Sequence, residues 1–444
     1  MEEKVQQSKD EVVGRDSTIK FFTDLHPADI AELIEHMGDD KRKELFDHLN
    51  VKTASEVILE LHEQSREQIL ETIDHDHLVD MVEEMDSDDA ADLIGDLPKP
   101  EADSLLNDLG KDESDEVRKL LQYEPDTAGG IMQTELCSVR EGMLIEDGIV
   151  QFIATAHDIK DIPVIYVIDI LGKITGSFHV GELLRHKPSI PITEIMDKNI
   201  VTVRADVDQE EVARIFKKYD MLSLPVVDDN ENLIGHILFD DIVDVLDEEA
   251  SEDMLRIAGL YENENIFDTP LKSVKMRFPW LVLNLGTAIL AASIIGIFED
   301  TIRNLVILAV FMPIVAGMGG NAGTQALAVT IRGIALGELT FSNARRAVFK
   351  GIYVGCMNGL IVGSLMGLIA YLWSGQAVLG FIMFISMVVN LIVANLFGIL
   401  IPLLLKWVKV DPAVASSVFL TSLTDCIGFV SFLGLSKLLL HNVA

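Results

Sequence analysis

The sequence predicts a multidomain α+β membrane protein, in which an acidic soluble part is followed by a domain of five membrane-spanning helices. The 444 residues carry a formal net charge of −36, yet the mean hydropathy is positive, and one homogeneous globular domain does not combine the two. The charge is also segregated. Residues 1–277 hold 66 Asp and Glu against 27 Lys and Arg, whereas residues 278–444 hold 5 against 8. The chain is therefore expected to enter a membrane near residue 278.

Five apolar runs follow residue 277, and each is long enough to cross a hydrocarbon layer of about 30 Å as a helix. They cover about 278–298, 304–331, 347–373, 377–405 and 412–440. Lys and Arg concentrate before the first run, between the second and third, and after the fourth, which predicts a cytosolic N-terminus and an extracytosolic C-terminus. The polar start of the chain lacks the apolar stretch of a secretory signal. Residues 1–20 are expected to be a disordered cytosolic tail.

The fifth run contains an acid in an otherwise uncharged stretch, "SVFLTSLTDCIGFVSFLGL". Ser417, Thr421 and Asp425 stand at i, i+4 and i+8, with Thr424 and Gly428 beside them, so one helical face is small and polar. Interhelical hydrogen bonding would explain the hydroxyl groups alone. It does not explain the carboxylate.

The position of Asp425 makes its charge costly. Asp411-Pro412 is typical of an N-cap followed by the first helical residue, which would place Asp425 about 20 Å along the helix, inside the bilayer. A charge there costs at least a few kcal/mol. No Lys, Arg or His lies in the middle of any run, so the expected partner is a proton, a cation from solution or pore water.

The second run, "MPIVAGMGGNAGTQALAVTIR", is also irregular. Its proline and glycines are explained in part by close helix packing. The amides of Asn321 and Gln325, at i and i+4, share one face and favour a pore lined by the second and fifth spans.

Two segments of the soluble part resemble each other over about 60 residues. Both contain Ile-Met, then Pro-Val (163–164 and 225–226), then a glycine (Gly176 and Gly235) before a strand and a helix. These features resemble a pair of CBS domains, expected at 126–190 and 191–250. CBS pairs often bind adenine nucleotides, and Glu182 and Asp241 occupy the position of the acid that can hold the ribose. The residues are thus compatible with ATP at the CBS pair but do not indicate it, because Ser or Thr is absent from the preceding positions.

Helical sequence flanks the CBS pair on both sides. "HPADIAELIEHM" and "DSDDAADLIGDL" match with an offset of 60 residues, which predicts an acidic helical-repeat domain over 21–125. Downstream, an acidic amphipathic helix is expected to connect to the membrane domain through 251–273. The density of carboxylates suggests a divalent-cation sensor, because Mg²⁺ and Ca²⁺ prefer hard oxygen ligands.

The order of these parts, with "GMGGNAGTQ" in the second span and "DPA…SLTDCIGF" in the fifth, resembles the MgtE family of bacterial Mg²⁺ channels. The resemblance implies a homodimer in the bacterial inner membrane, with Asp425 of both chains at the ion-selective site. It further implies closure by cytosolic Mg²⁺ bridging the helical domain, the CBS pair and a plug helix. The metal-binding residues implied are Asp88, Asp92, Asp220, Asp241, Asp244, Glu249, Glu252 and Asp253.

Other functions remain compatible with the residues. A transporter of Mn²⁺, Co²⁺ or Zn²⁺ would favour nitrogen or sulfur ligands. A membrane aspartyl hydrolase would need paired carboxylates, and a CBS receptor would conduct nothing. We expect a lipid-embedded transporter, not an enzyme, with no nucleic-acid partner.

Overall fold

The computed structural model describes residues 25–155, 162–260, 264, 266, 268–413 and 416–440. The tail expected at 1–20 lies outside this part of the chain. Two compact units are present, Met1–Leu246 and Asp247–Ala444, and each is described by itself.

The first unit begins with short helices whose apolar faces share one core. They are α1 Pro27–Glu35, α2 Asp39–Phe46, α3 Val51–Leu59, α4 Glu63–Leu70, α5 His75–Glu83, α6 Ser87–Gly95, α7 Lys99–Asp108 and α8 Lys111–Leu120. The bounds of α1 and α6 lie 60 residues apart, as the repeated sequence predicts. Short helices cannot bury an apolar face alone, so they are stabilised by stacking on their neighbours.

Two small sheets with the same topology follow. The elements are β1 Ser138–Arg140, α9 Ile145–Thr155, β2 Val164–Ile168, β3 Ile174–His179, α10 Glu182–Arg185, β4 Val203–Arg204, α11 Gln209–Tyr219, β5 Ser223–Val227, β6 Leu233–Leu238 and α12 Phe239–Ile257. In each sheet the first strand is parallel to the second, which is antiparallel to the third. The predicted CBS pair is confirmed in its fold.

The strand register corrects the equivalence that the repeated Pro-Val pairs suggested. Gly176 pairs with Val167, and Gly235 pairs with Val226. Val226 therefore corresponds to Val167, not to Val164, and Pro163 and Pro225 occupy different positions. The apparent match was wrong by three residues because Pro-Val recurs in both segments out of register.

Each sheet is completed by the segment that precedes the other one. Gln133 bridges His236 on β6, and Asp197 bridges Ser177 on β3. The glycines permit this close approach, since a Cβ on Gly235 would lie 2.8 Å from Sδ of Met132. The two CBS units thus exchange their leading segments.

In the part of the second unit that the structure describes, five helices are long and apolar enough to span a membrane. They are α13 Pro270–Ile297, α15 Ile307–Ala335, α16 Ala344–Ser374, α17 Ala377–Trp407 and α18 Ser416–Leu440, with the short α14 Glu299–Asn304 after the first. The predicted number of spans is confirmed. The predicted start of the fifth was wrong, because Pro412 and Ala413 lie in a turn, with Asp411 Oδ1 accepting from the Ala413 amide at 2.8 Å.

Helices α16 and α17 pack through glycines spaced four residues apart on α16. A Cβ on Gly359 would lie 2.8 Å from the Val388 Cα, and one on Gly367 would lie 2.7 Å from the Gly380 carbonyl oxygen. Close backbone contact of this kind stabilises helix pairs where lipid supplies no hydrophobic driving force.

Candidate functional site

Among the residues that the structure describes, Asp425 is the one acid within the five candidate membrane spans. Asp425 lies nine residues into α18, about 14 Å along its axis. Its side chain is half-buried, Thr421 one turn earlier is exposed, and Ser417 is half-buried. No ion pair or hydrogen bond to the Asp425 carboxylate is found among the residues that the structure describes.

Helix α15 lies beside this face of α18. A Cβ on Gly320 would come within 4.0 Å of the Thr421 methyl group, and Asn321 and Gln325 are both exposed within the chain. The carboxylate, a hydroxyl and two amides thus lie on two adjacent helices, an arrangement able to hold a hydrated cation.

Two residues expected on the polar face lie elsewhere. Thr424 is fully buried and its hydroxyl donates to the Thr421 carbonyl oxygen at 2.9 Å. Gly428 is buried against Asn390 of α17. Sequence reasoning missed Asn390. The only feature of the sequence that could have indicated it is the presence of an amide side chain within a strongly apolar run.

A second group of acids lies in the first unit. Asp88, in the first turn of α6, is buried, and its Oδ1 has no hydrogen-bond partner among the described residues. Burial, and then the charges of Asp89 and Asp241, raise the pKa of Asp88 well above its ordinary value. Burial likewise raises the pKa of Asp241 to about 7. A buried pair of carboxylates is stabilised by a bound cation, and the unpaired oxygen fits a hard divalent ion.

The other expected metal residues are more dispersed. Asp92, Asp220 and Asp244 are exposed, and Asp220 ends α11 in a left-handed conformation with φ 50°. Glu249, Glu252 and Asp253 belong to the second unit. No group of three or more His, Cys, Asp or Glu side chains that could hold a metal is found within the described ranges. The metal assignments remain predictions.

The end of α12 contacts the membrane helices within the second unit. Arg256 pairs with Glu252 one turn earlier and with Asp411, which precedes α18. Ile257 packs on a cluster formed by Leu327, Ile331, Ala413 and Leu420 of α15 and the start of the fifth span. Sequence reasoning did not single out Arg256.

The two acids expected to hold a nucleotide already have protein partners. Glu182 pairs with Arg185 at 2.7 Å and with His186 at 3.2 Å. Asp241 Oδ2 accepts from the Leu238 amide at 3.1 Å. All of these contacts are to residues within four positions along the chain, so they do not tie either carboxylate to a distant part of the fold.

A buried hydrogen-bond chain joins the CBS units to the helical domain. Tyr166 and His236 both contact the Ser223 hydroxyl, at 2.5 and 2.9 Å, and His236 Nε2 lies 3.0 Å from the Glu135 carbonyl oxygen. The Glu135 carboxylate accepts from Ser87 at 2.7 Å. Because a carbonyl only accepts, His236 carries its proton on Nε2. Burial lowers the pKa of His236 to about 4.

The architecture defines a class: a multi-pass membrane protein with a helical domain and a CBS pair. Family profiles agree, since the MgtE intracellular N domain matches residues 25–126, the CBS domain 192–248, and the MgtE divalent cation transporter domain 312–435. The chain belongs to the MgtE family of magnesium transporters, which is a transport family and not one of enzymes.

Comparison with individual proteins supports the same family. The magnesium transporter MgtE of Bacillus subtilis is 33% identical over 327 residues, 74% of this chain and 72% of the relative. That of Thermus thermophilus is 36% identical over 330 residues, 74% of this chain and 73% of the relative. The solved cytosolic domain of the Mg²⁺ channel MgtE in complex with ATP is similar with a TM-score of 0.51 at 32% identity, covering 55% of this chain and 98% of that structure.

Proposed function

We propose that this chain forms a homodimeric Mg²⁺ channel of the bacterial inner membrane, with Asp425 of both subunits at the ion site. The observation that carries the proposal is the half-buried Asp425 carboxylate, deep in α18, beside the exposed Thr421 hydroxyl. A membrane acid retained without a basic partner marks an ion path by default. The family of the chain makes Mg²⁺ the ion expected there.

The site suits Mg²⁺ in its hydrated form. This ion gives up water reluctantly and usually keeps several water ligands. Two carboxylates, with the hydroxyls of Thr421 and Ser417 and the amides of Asn321 and Gln325, offer oxygen atoms to those waters. Such contacts bind the ion weakly enough for release.

Cytosolic Mg²⁺ would regulate the channel through the acidic cluster of Asp88 and Asp241. An ion that binds the closed arrangement better shifts the population toward it. Loss of the ion leaves buried carboxylates that repel one another, which favours opening. In this proposal the acids of α12, Glu249, Glu252 and Asp253, bind further ions, and Asp92, Asp220 and Asp244 complete the cytosolic set.

Two further parts of the proposal concern topology and nucleotide. The distribution of basic residues supports a cytosolic N-terminus and an extracytosolic C-terminus. The similar solved domain is in complex with ATP, which supports ATP binding by this chain, and our proposal places the nucleotide at the CBS pair near Glu182 and Asp241.

The test is Mg²⁺ current through inside-out patches containing the purified protein, with Asp425→Asn compared with the parent chain. Asn has the same shape without the charge, so we expect folded protein and loss of at least about 90% of the current, since the charge defines the ion site. Thr287→Ala is the matched control, because the Thr287 hydroxyl on α13 only donates to its own helix, at Asn284.

Three outcomes separate the alternatives. Current that persists in Asp425→Asn contradicts the assignment of the ion site. Current carried by Mn²⁺ or Co²⁺ in preference to Mg²⁺ contradicts the proposed substrate. A folded protein that conducts nothing supports a receptor.

A further inference from the structure

Asn390 joins the helix that carries Asp425 to the helix that carries the pore amides. It lies in the middle of α17 with 0% of its surface exposed. Its Nδ2 donates to the Val315 carbonyl oxygen of α15 at 2.8 Å. A side-chain amide bonded to the backbone of a neighbouring span fixes the two helices in both depth and rotation.

Two glycines form the notch that holds this side chain. A Cβ on Gly319 of α15 would overlap the Asn390 amide, and a Cβ on Gly428 of α18 would lie 3.0 Å from Nδ2. Gly428 is three residues beyond Asp425, about 4.5 Å along the same helix. The amide of Asn390 therefore lies between α15 and α18 within one turn of the proposed ion site.

The burial of Asn390 leaves polar atoms without hydrogen bonds within the described part of the chain, which is energetically unfavourable. Asn390 Oδ1 and Ser386 Oγ, one turn apart on α17, are buried and have no hydrogen-bond partner among the described residues. A buried unpaired polar atom costs roughly 1–3 kcal/mol. An apolar residue would avoid that cost, and departures from local stability of this kind are expected where function requires them.

We propose that Asn390 is a positioning residue for ion selectivity. Near Gly428, one turn beyond Asp425, the Asn390 side chain sets the distance between α15 and α18. That distance in turn sets the width of the path for a hydrated divalent cation. This inference rests on the proposed function, because it takes Asp425 as the ion site.

The test compares Asn390→Ala with Asn395→Ala in the full-length protein reconstituted into liposomes. Asn395 is the matched control, because it is a buried asparagine of the same helix whose amide donates to its own helix, at Leu391. The readout is the ratio of Mg²⁺ to Ca²⁺ permeability, with thermal stability measured alongside. We expect Asn390→Ala to change the permeability ratio about threefold. This is the factor that corresponds to the average free energy of an interhelical side-chain hydrogen bond in a membrane. Asn395→Ala should lower stability and leave the ratio unchanged.

A second variant keeps the proposal testable if Asn390→Ala fails to fold. Gly428→Ala retains Asn390 and inserts a methyl group against its amide, so it should change the ratio without removing the hydrogen bond. In the double variant, Asn390→Ala provides space for that methyl group, and the effect should be smaller than the sum of the two single effects.

Two results would overturn the inference, and they differ. If Asp425→Asn abolishes the current while Asn390→Ala and Gly428→Ala keep the parent ratio, only the positioning role fails. If Asp425→Asn conducts normally, the ion site itself is misassigned and both proposals fail.

Discussion

Arg256, near the end of α12, donates to the carboxylate of Asp411, the residue that begins the turn into the fifth span. The same guanidinium pairs with Glu252. Asp411 also accepts from the Ala413 amide at 2.8 Å, so its carboxylate connects Arg256 to the start of the helix that carries Asp425. A shift of α12 is thereby expected to act on α18 through this ion pair.

We predict that Arg256→Ala weakens closure by cytosolic Mg²⁺. Allosteric coupling energies are typically 1–3 kcal/mol, and losing part of one should raise the Mg²⁺ concentration for half-closure about fivefold. The measurement is patch current during a cytosolic Mg²⁺ titration. Arg303→Ala is the control, since Arg303 forms an exposed i,i+4 pair with Glu299 at 2.7 Å. Equal midpoints in both variants would exclude a role for the Arg256 contact.

Asp88→Asn should reduce the stabilisation of the protein by Mg²⁺. A ligand present at 100 times its dissociation constant stabilises the folded state by about 2.7 kcal/mol. Removal of the buried Asp88 carboxylate should abolish most of this stabilisation by Mg²⁺. In the absence of Mg²⁺ the variant should be more stable than the parent, because Asp88 no longer repels Asp241.

The measurement for Asp88 is thermal unfolding of the purified full-length protein with and without Mg²⁺. Asp76→Asn, which removes an exposed acid from the first turn of α5, is the control for net charge. The prediction fails if both variants respond to Mg²⁺ as the parent does.

We predict that His236 makes the stability of the first unit sensitive to acid. Its folded pKa of about 4 lies below the ordinary 6.5, so the unfolded chain binds a proton that the folded chain does not. Its contribution to stability is complete above pH 6.5 and is lost as the pH falls toward 4. The loss approaches about 3 kcal/mol, at about 1.4 kcal/mol per pKa unit.

His236→Gln should remove that part of the pH dependence while keeping a donor toward Glu135. Asp240 is the charged side chain that acts on the ring, and protonation of carboxylates elsewhere in a protein also changes its stability at acid pH. The informative quantity is therefore the difference in unfolding temperature between variant and parent at each pH. His179→Gln, at an exposed histidine, should follow the parent curve. A His236→Gln curve parallel to that of the parent would count against the prediction.

Gly359→Ala should destabilise the membrane domain. The added methyl group would lie 2.8 Å from the Val388 Cα of α17, and overpacking of this kind costs typically 1–3 kcal/mol. Gly434→Ala is the control, because a Cβ there meets no atom within 4 Å. Heating the purified protein before size-exclusion chromatography measures the difference, and equal recovery of the two variants would contradict it.

The sequence predicted the features that depend on local pattern. The number of spans follows from the length of apolar runs, and the helices at Pro27–Glu35 and Ser87–Gly95 follow from a repeated amphipathic pattern. Asp425 stood out because a single carboxylate in an apolar run is costly wherever it lies.

Contacts between distant parts of the chain were not predictable in this way. Asn390 meets Val315 across 75 residues, and Arg256 meets Asp411 across 155. Neither pair leaves a periodic signal, because each depends on which helices pack together. Asp411-Pro412 predicted the start of a helix, but these residues lie in a turn, because Asp and Pro favour turns as well as helix starts.

The exchange of leading segments in the CBS pair has a mechanical consequence. Ser87 of the helical domain bonds Glu135, Gln133 of the same segment bridges β6, and β6 runs directly into α12. A displacement of the helical domain can thus reach α12 along one strand, without passing through the first CBS sheet. The first CBS sheet lies beside this route, and it contacts the route through the segment at residue 197, which the second CBS unit contributes to it.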